Sequence, residues 1–184
     1  MTNIFIIHGF GGHPNKNWFQ WLKTELEKLG NQVFVPQFPT PNNQSLEKWF
    51  KVLEKYKEYI NEETIFIGHS LGAAFILNLL EKQAIKATFL VAGFIGNINF
   101  EFNHLMRTFA HKEFDWNIIN NNCQKFFIFH SNNDPFIKLE IAEKIAENLN
   151  TKVILIENGQ HLSQKWGGFT QLPILLEEIK TVMN

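Results

Sequence analysis

Short apolar runs alternate with amphipathic segments along almost the whole chain. The runs have the length and apolar character of strands buried on both faces, and they are predicted at residues 3–8, 32–35, 64–67, 87–92, 125–130 and 152–156. Apolar residues at helical spacing lie between them, in residues 18–29, 46–60, 70–82, 137–149 and 172–183. This alternation predicts an α/β fold with a parallel sheet, right-handed crossovers and helices on both faces. The expected order of the six strands is 2-1-3-4-5-6.

The segment 93–122 follows no clear period. It mixes polar and aromatic residues, and it predicts a short helix or two rather than a large lid. It is also the only insertion long enough to cover a binding site. Its aromatic side chains either line an apolar pocket or, as is more usual under a long loop, pack into the core; they are Phe94, Phe100, Phe102, Phe109, Phe114 and Trp116.

The third predicted strand runs directly into the sequence Gly-His-Ser-Leu-Gly at residues 68–72, and small residues that favour a tight helical turn follow at once. A strand, a Gly-x-Ser-x-Gly turn and a helix form the arrangement called a nucleophile elbow, which holds a serine hydroxyl out of the backbone. Side chains at Gly68 and Gly72 would collide where strand and helix approach each other. A chance match in a loop is the alternative, and the flanking strand and helix argue against it. Ser70 is therefore the predicted nucleophile.

The composition is that of an ordinary globular protein, and it argues against several classes of function. The 184 residues, of which 45% are hydrophobic, suit one domain spanning residues 1–184. A net charge of −1 offers no electrostatic footprint for nucleic acid or for an anionic membrane. Arg107 is the only arginine, which argues against a bidentate phosphate site. The single cysteine, Cys123, and the lack of a basic leader before the first strand predict a cytoplasmic protein.

A serine hydroxyl needs a base, nearly always histidine, and a carboxylate that orients the imidazole. The chain contains only two aspartates, Asp115 and Asp134. Asp134 lies in the polar loop after the fifth predicted strand, and His161 lies in the loop after the sixth. Active groups gather at the carboxyl ends of parallel strands, and the chain order Ser, Asp, His is the one that this motif demands. Ser70, Asp134 and His161 are therefore the predicted catalytic residues.

Other assignments remain open at this point. Asp134 precedes a proline, so that it could instead cap a turn or the next helix; the two roles can coexist, and Glu157 is the second choice of carboxylate. An exposed loop histidine is the alternative for His161. The other histidines fit the role of base less well, and they are His8, His13, His69, His104, His111 and His130.

Two backbone amides are predicted to bind the oxyanion of an acyl-transfer reaction. One is the N–H of Leu71, at the positive end of the helix after the serine. The other is the N–H of Phe10, in the glycine-rich loop 9–12 that follows the first strand. The same loop could cradle a phosphate, but it lacks both the lysine of a P-loop and the spacing of a dinucleotide site. The sequence contains no metal-binding motif, and no cofactor is expected.

Four motifs together resemble those of the retinoblastoma-binding-protein-9 (YdeN-like) serine hydrolase family. They are Ile-Ile-His-Gly-Phe at residues 6–10, Gly-His-Ser-Leu-Gly at 68–72, Asn-Asp-Pro-Phe at 133–136 and Gly-Gln-His at 159–161. The similarity covers nearly the whole chain, including Trp-Gly-Gly-Phe at 166–169. It implies a compact α/β-hydrolase fold without a large lid, and a Ser-His-Asp triad at Ser70, His161 and Asp134.

The sequence departs from the pattern of that family in its histidine loop. The loop usually reads Gly-Gly-His, whereas Gln160 replaces the second glycine here, so that its side chain could narrow the mouth of the site or shift the loop. The protein-binding motif of the family, Leu-x-Cys-x-Glu, has no counterpart around Cys123. The resemblance therefore implies the hydrolase but not the protein partner.

These observations predict a serine hydrolase that cleaves a small ester, thioester or amide through an acyl-enzyme. Its expected partner is a small-molecule substrate, with neither nucleic acid nor a membrane. The candidate substrate-lining residues are His8, Trp18, Phe94 and Trp166, and a short apolar acyl group is favoured. Two alternatives are a catalytically silent binding protein of the same fold and a cofactor-free enzyme such as a C–C bond lyase.

Overall fold

A computed structural model describes residues 1–183, and Asn184, the last residue of the predicted domain, lies outside the described residues. The sheet has six strands, all parallel, in the order β2-β1-β3-β4-β5-β6, which confirms the predicted fold class. The strands are β1 (Asn3–Ile7), β2 (Gln32–Phe34), β3 (Ile65–His69), β4 (Ile85–Val91), β5 (Cys123–Ser131) and β6 (Val153–Ile156).

Helices occupy the connections between the strands and the C-terminal segment. They are α1 (Phe19–Lys28), α2 (Leu46–Leu53), α3 (Leu71–Leu80), α4 (Arg107–Ala110), α5 (Trp116–Asn121), α6 (Leu139–Asn148) and α7 (Pro173–Met183). The predicted helix 46–60 is shorter than expected, because α2 tightens into a 3₁₀ turn at Glu54–Tyr59. Within the described residues, no helix combines the length and the apolar character needed to cross a bilayer.

The continuous apolar runs arise because both faces of the sheet are covered. In β1, Phe5 and Ile7 point into one core and Ile4 and Ile6 into the other, as the alternation of side chains along a strand requires. The first core packs α2, α3 and α6 against the sheet, and the second packs α1 and α7 against the opposite face. The sheet is thus the middle layer of three, and its carboxyl edge is left for loops.

The segment 93–122 packs mostly against α3. It contains a 3₁₀ turn at Asn103–Met106 in addition to α4 and α5. Phe94 and Phe109 are completely buried in the core on the α3 side, and the Asn78 side chain of α3 donates a hydrogen bond of 2.8 Å to the Phe109 carbonyl. Core packing is therefore the role of Phe94 and Phe109, as the long-loop interpretation expects, whereas Phe102 of the same segment is 41% exposed.

The turn between β3 and α3 brings the first turn of the helix against the end of β1. A β-carbon at Gly72 would collide with the carbonyl oxygen of Ile7 and would lie 2.8 Å from that of His8. A β-carbon at Gly68 would lie 2.7 Å from the Ala73 nitrogen. Neither glycine is needed for an unusual φ; both are needed because backbone atoms come too close for any side chain.

We expect Gly72→Ala to destabilise the protein, although the same exchange inside a helix normally stabilises it by about 1 kcal/mol. The new methyl group meets fixed backbone carbonyls, so the free energy of unfolding should fall by about 3 kcal/mol. Urea titration followed by circular dichroism measures this change. Gly30→Ala is the matched control, since Gly30 has a φ of +82° and open space around it and should lose only about 1 kcal/mol. A Gly72→Ala variant as stable as the parent would contradict the close approach.

Candidate active site

Ser70 occupies the turn at the carboxyl end of β3. Its φ of 55° and ψ of −118° lie in a region that non-glycine residues rarely adopt. The backbone holds this conformation through the Ser70 N–H, which donates to the Val91 carbonyl at 2.9 Å, and through the Ser70 carbonyl, which accepts from the Ala73 N–H at 3.0 Å. A β-carbon at Gly9 would lie 3.3 Å from Ser70 Oγ. The loop after β1 therefore passes directly beside the serine hydroxyl.

Asp134 and His161 meet at the same edge of the sheet, from the loops after β5 and β6. His161 Nδ1 lies 2.7 Å from Asp134 Oδ2, and the Asp134 side chain is fully buried. The other oxygen, Oδ1, accepts hydrogen bonds from the N–H groups of Phe136 at 2.9 Å and Ile137 at 3.1 Å. Asp134 is thus both a turn-capping residue and the partner of the imidazole, so the two interpretations of this residue coexist.

The ionisation of Asp134 follows from these contacts. Burial alone would raise the pKa of its carboxyl group. The hydrogen bond and charge of His161, together with the N–H groups of Phe136 and Ile137, more than offset burial and hold the pKa below its ordinary value. Asp134 therefore remains a carboxylate at neutral pH, and it favours the Nδ1–H tautomer of His161.

The loop that carries His161 is strained on both sides of the histidine. Gln160 has a φ of 47° and Leu162 a φ of 48°, a conformation that costs energy for residues with a β-carbon and is often found at functional sites. The Gln160 N–H donates to Asn133 Oδ1 at 2.8 Å, and the Gln160 side chain is exposed and does not line the cleft. The replacement of glycine at this position therefore adds backbone strain and does not narrow the site.

Two buried rings fix the backbone of the same loop from below. The Trp18 Nε1–H donates to the Leu162 carbonyl at 3.0 Å, and His69 Nε2 lies 2.9 Å from the His161 carbonyl, which it can only approach as a donor. Burial, together with the nearby His161, lowers the pKa of His69 to about 3. His69 is accordingly a neutral hydrogen-bond donor that supports the loop.

Ser70 and His161 line one cleft of about 780 Å³. In residues 1–183, Ser70 Oγ forms no hydrogen bond with His161 or with another protein group. Hydrogen bonds between catalytic groups often tighten only when substrate binds. The cleft is thus where an external reactant would meet both side chains.

The amides predicted to bind an oxyanion also lie around the serine. Phe10 lines the cleft in the loop 9–12, and Leu71 is the first residue of α3. Across the described part of the chain, neither the Phe10 N–H nor the Leu71 N–H has a hydrogen-bond acceptor. Both donors remain available beside Ser70.

Three of the residues expected to line the substrate site do not reach it. His8, Trp18 and Phe94 are completely buried, whereas Trp166 is 37% exposed and lines the cleft. His8 is held by a hydrogen bond of 2.9 Å to the Gly9 carbonyl and by the Phe38 N–H at 3.0 Å. A position close to the site in the sequence pattern does not ensure that a side chain lines the cleft. Burial depends on tertiary packing, which sequence position alone does not show.

The structure also brings to the cleft residues that the sequence motifs do not predict. Ile98, Met106 and Phe136 provide apolar surface, and Lys16 and Lys165 provide charge. Phe136 had a usable signal, because it follows Asp134 and Pro135 in a loop already assigned to the site. The other four carry no motif. Among residues 1–183, no group of three His, Cys, Asp or Glu side chains is placed to hold a metal ion.

Comparison with known proteins shows the family to which the chain belongs. The sequence profile of the family described as serine hydrolase matches residues 4–181. The chain belongs to the serine hydrolase family. Hydrolysis is accordingly the class of reaction assigned to it, and the expected membership of the YdeN-like group is confirmed by the individual relatives.

Two relatives, the hydrolase YdeN and serine hydrolase RBBP9, match over essentially their full length. YdeN of Bacillus subtilis (strain 168) is 27% identical over 185 residues, which cover 98% of this chain and 96% of YdeN. Serine hydrolase RBBP9 of Rattus norvegicus is 25% identical over 186 residues, covering 100% of this chain and 96% of RBBP9.

Two solved structures superpose on nearly the whole chain. The crystal structure of the ydeN gene product from B. subtilis superposes with a TM-score of 0.91 at 26% identity and covers 100% of this chain and 99% of that one. Est1E from Butyrivibrio proteoclasticus, solved with ferulic acid bound, has a TM-score of 0.74 at 15% identity and covers 100% of this chain and 88% of its own. At that identity the likeness to Est1E shows the fold alone.

Buried histidines predict a loss of stability in acid. Burial lowers the pKa of His8 to about 4, below the ordinary value of about 6.5 that it has in the unfolded chain. The unfolded state therefore takes up a proton first, so the stability is complete above pH 6.5 and falls as the pH drops from about 6.5 towards 4, by up to about 1.4 kcal/mol per pH unit for this one group.

The measurement is urea unfolding at about pH 7.5 and about pH 5. In His8→Gln the difference in unfolding free energy between the two pH values should shrink by about 2 kcal/mol. His104→Gln, at an exposed position, should keep the parental difference. An unchanged pH dependence in His8→Gln would show that His8 does not carry this effect.

Proposed function

We propose that Ser70, His161 and Asp134 act as a Ser-His-Asp triad and that the protein hydrolyses small carboxylic esters through an acyl-enzyme. The observation that carries the proposal is the 2.7 Å contact between His161 and a buried Asp134. His161 lines the same cleft as Ser70, the strained serine after β3. Membership of the serine hydrolase family supports the same reaction class.

The proposed reaction depends on proton transfer between Ser70, His161 and the leaving group. Asp134 holds the Nδ1–H of His161, so the Nε2 lone pair is free to accept the Ser70 proton as Oγ attacks the carbonyl carbon. The N–H groups of Phe10 and Leu71 stabilise the oxyanion of the tetrahedral intermediate. His161 then protonates the leaving alcohol. Water attacks the acyl-enzyme by the reverse proton path and releases the acid.

In the proposed mechanism, the His161 ring lies between a carboxylate and a neutral histidine ring. Asp134 remains ionised because two backbone N–H groups and His161 stabilise its charge, and a carboxylate beside His161 stabilises the protonated ring. His69, whose ring centroid lies 4.9 Å from that of His161, stays neutral because its pKa is lowered to about 3 by burial and by His161. It therefore adds no repulsion when His161 takes up a proton.

The shape of the cleft favours an apolar acyl group of modest size. Phe10, Phe100 and Phe136 present aromatic surface close to Ser70 and His161, and the Phe136 and His161 ring centroids are 5.2 Å apart. A volume of about 780 Å³ accommodates a small ester. We propose an ester rather than an amide, since the apolar wall supplies few polar groups that could hold a peptide backbone.

A fluorophosphonate probe separates this proposal from a catalytically silent binding protein. The reagent reacts with a serine only when the hydroxyl is activated by a base. Mass spectrometry of the labelled protein should place the adduct on Ser70, and His161→Ala should abolish labelling. A folded protein that remains unlabelled would favour the binding role.

Substitution of the triad should remove ester hydrolysis while the protein stays folded. Ser70→Ala and His161→Ala should each lower kcat for p-nitrophenyl butyrate by about 10⁴- to 10⁶-fold, and Asp134→Asn by about 10⁴-fold or somewhat less. The matched control is Asp115→Asn, because Asp115 is the other aspartate and caps α5 by accepting the Ile118 N–H. Its turnover should equal that of the parent. Ester turnover that is unchanged in Ser70→Ala would refute the mechanism.

Removal of the donor beneath the histidine loop should reduce turnover without removing a reacting group. His69→Phe keeps a ring but loses the hydrogen bond to the His161 carbonyl. Because a shift of about 1 Å in a catalytic group can cost about 100-fold, kcat should fall by about 10- to 100-fold with little change in KM. Steady-state kinetics measure the split, and His104→Phe serves as the exposed control. A kcat within twofold of that of the parent would show that the hydrogen bonds of Trp18 and Asn133 are enough to position the loop.

A further inference from the structure

The cleft around Ser70 has two chemically different sides. One side is apolar and consists of Phe10, Ile98, Phe100, Met106 and Phe136. Its rings pack on each other, with centroid distances of 5.4 Å between Phe10 and Phe100 and 5.5 Å between Phe100 and Phe136. This side is built largely by the segment between β4 and β5.

The other side is basic, and two loops build it together. Lys16 belongs to the loop after β1 and Lys165 to the loop after β6, and both line the cleft. The Gln164 N–H donates to Asn17 Oδ1 at 3.1 Å, which joins the two loops at the residues next to the lysines. This hydrogen bond therefore joins the two loop segments that carry the lysines, and both lysines line the same cleft.

The positive charge on this side is not neutralised by the protein. Among the residues that line the cleft, none is Asp or Glu, and within residues 1–183 neither Lys16 nor Lys165 forms a salt bridge. This pattern differs from that of several other lysines on the surface, such as Lys23, Lys28 and Lys180, each paired with a glutamate on its own helix. The cleft thus concentrates unpaired positive charge in a protein whose net charge is −1.

Trp166 joins the basic side to the apolar side. Its ring centroid lies 5.2 Å from that of Phe136, and the Lys165 Nζ lies 5.5 Å from the centroid of the Trp166 ring. A ligand can therefore place an apolar group against Phe136 and a second group near the lysines, because the distance between them along the cleft is short. The cleft suits a molecule with one apolar end and one negative end.

We infer that the substrate is an ester that carries an anionic group, such as a carboxylate, in addition to its apolar part, and that Lys16 and Lys165 bind that group. The inference rests on the proposed hydrolase function and specifies the substrate class. The lysines attract an anion as exposed point charges, so the preference is moderate and is screened by salt. A neutral ester is still a substrate, because the triad and the apolar side do not depend on the lysines.

Two matched pairs of esters test the inference. In the first pair the charge lies on the acyl half: the p-nitrophenyl monoester of adipic acid is compared with p-nitrophenyl hexanoate. In the second pair it lies on the alcohol half: 4-(hexanoyloxy)benzoate is compared with its methyl ester. For at least one pair, kcat/KM of the anionic ester should exceed that of the neutral one by about 3- to 10-fold at low ionic strength, and the ratio should fall towards unity in about 0.5 M NaCl.

The lysines are tested by the double variant Lys16→Gln/Lys165→Gln. It should lose the preference for the anionic ester, measured as the ratio of kcat/KM between the paired esters in the same variant. Lys144→Gln/Lys152→Gln, at exposed positions that do not line the cleft, removes the same net charge and should keep the preference. A parental protein that prefers both neutral esters, or a preference that persists in Lys16→Gln/Lys165→Gln, would overturn the inference.

The design separates failure of this inference from failure of the proposed function. Hydrolysis of the neutral esters above the Ser70→Ala background tests the enzyme, and the ratio between paired esters tests the lysines. If no ester is hydrolysed, calorimetric titration of the same esters into Ser70→Ala still compares anionic with neutral binding. Tighter binding of the anionic ester that depends on the two lysines supports the inference; equal binding overturns it.

Discussion

The close contact between the first turn of α3 and the end of β1 is the constraint on which the rest of the site depends. Because Gly72 lies against the carbonyl oxygens of Ile7 and His8, the chain must reverse sharply after β3, and Ser70 takes a positive φ at the point of reversal. The same contact brings the loop that contains Phe10 beside the serine. One backbone approach therefore places both the hydroxyl group and the neighbouring amides that the proposed mechanism uses.

The fold and the placement of Ser70, Asp134 and His161 at the sheet edge follow from patterns that are local in sequence. Strand-length apolar runs and helical spacing are sufficient for a parallel sheet with helices on both faces, and the Gly-x-Ser-x-Gly turn marks its own position. The side chains that line the cleft are different, because exposure is decided by packing between distant segments. His8 and Trp18 were expected to line the cleft, yet both are buried. His8 accepts a hydrogen bond from the Phe38 N–H, and Trp18 donates one to the Leu162 carbonyl.

The histidine loop shows how a strained segment is maintained. Left-handed backbone at Gln160 and Leu162 would relax in an isolated peptide. Here the loop is fixed from different parts of the chain: by Asn133 through the Gln160 N–H, by His69 through the His161 carbonyl and by Trp18 through the Leu162 carbonyl. None of these contacts involves a reacting atom. They explain why buried polar rings lie under a site whose proposed mechanism uses only one imidazole.

The apolar side of the cleft comes largely from the segment between β4 and β5, whereas Ser70, Asp134 and His161 come from the turns after β3, β5 and β6. Residues such as Ile98 and Met106 can consequently vary without disturbing the hydrogen bonds that orient His161. Substitutions in that segment should therefore change which compounds fit the cleft and leave the hydrogen bond between Asp134 and His161 in place. The segment between β4 and β5 can thus be replaced to alter specificity, while the turns that carry Ser70, Asp134 and His161 are kept.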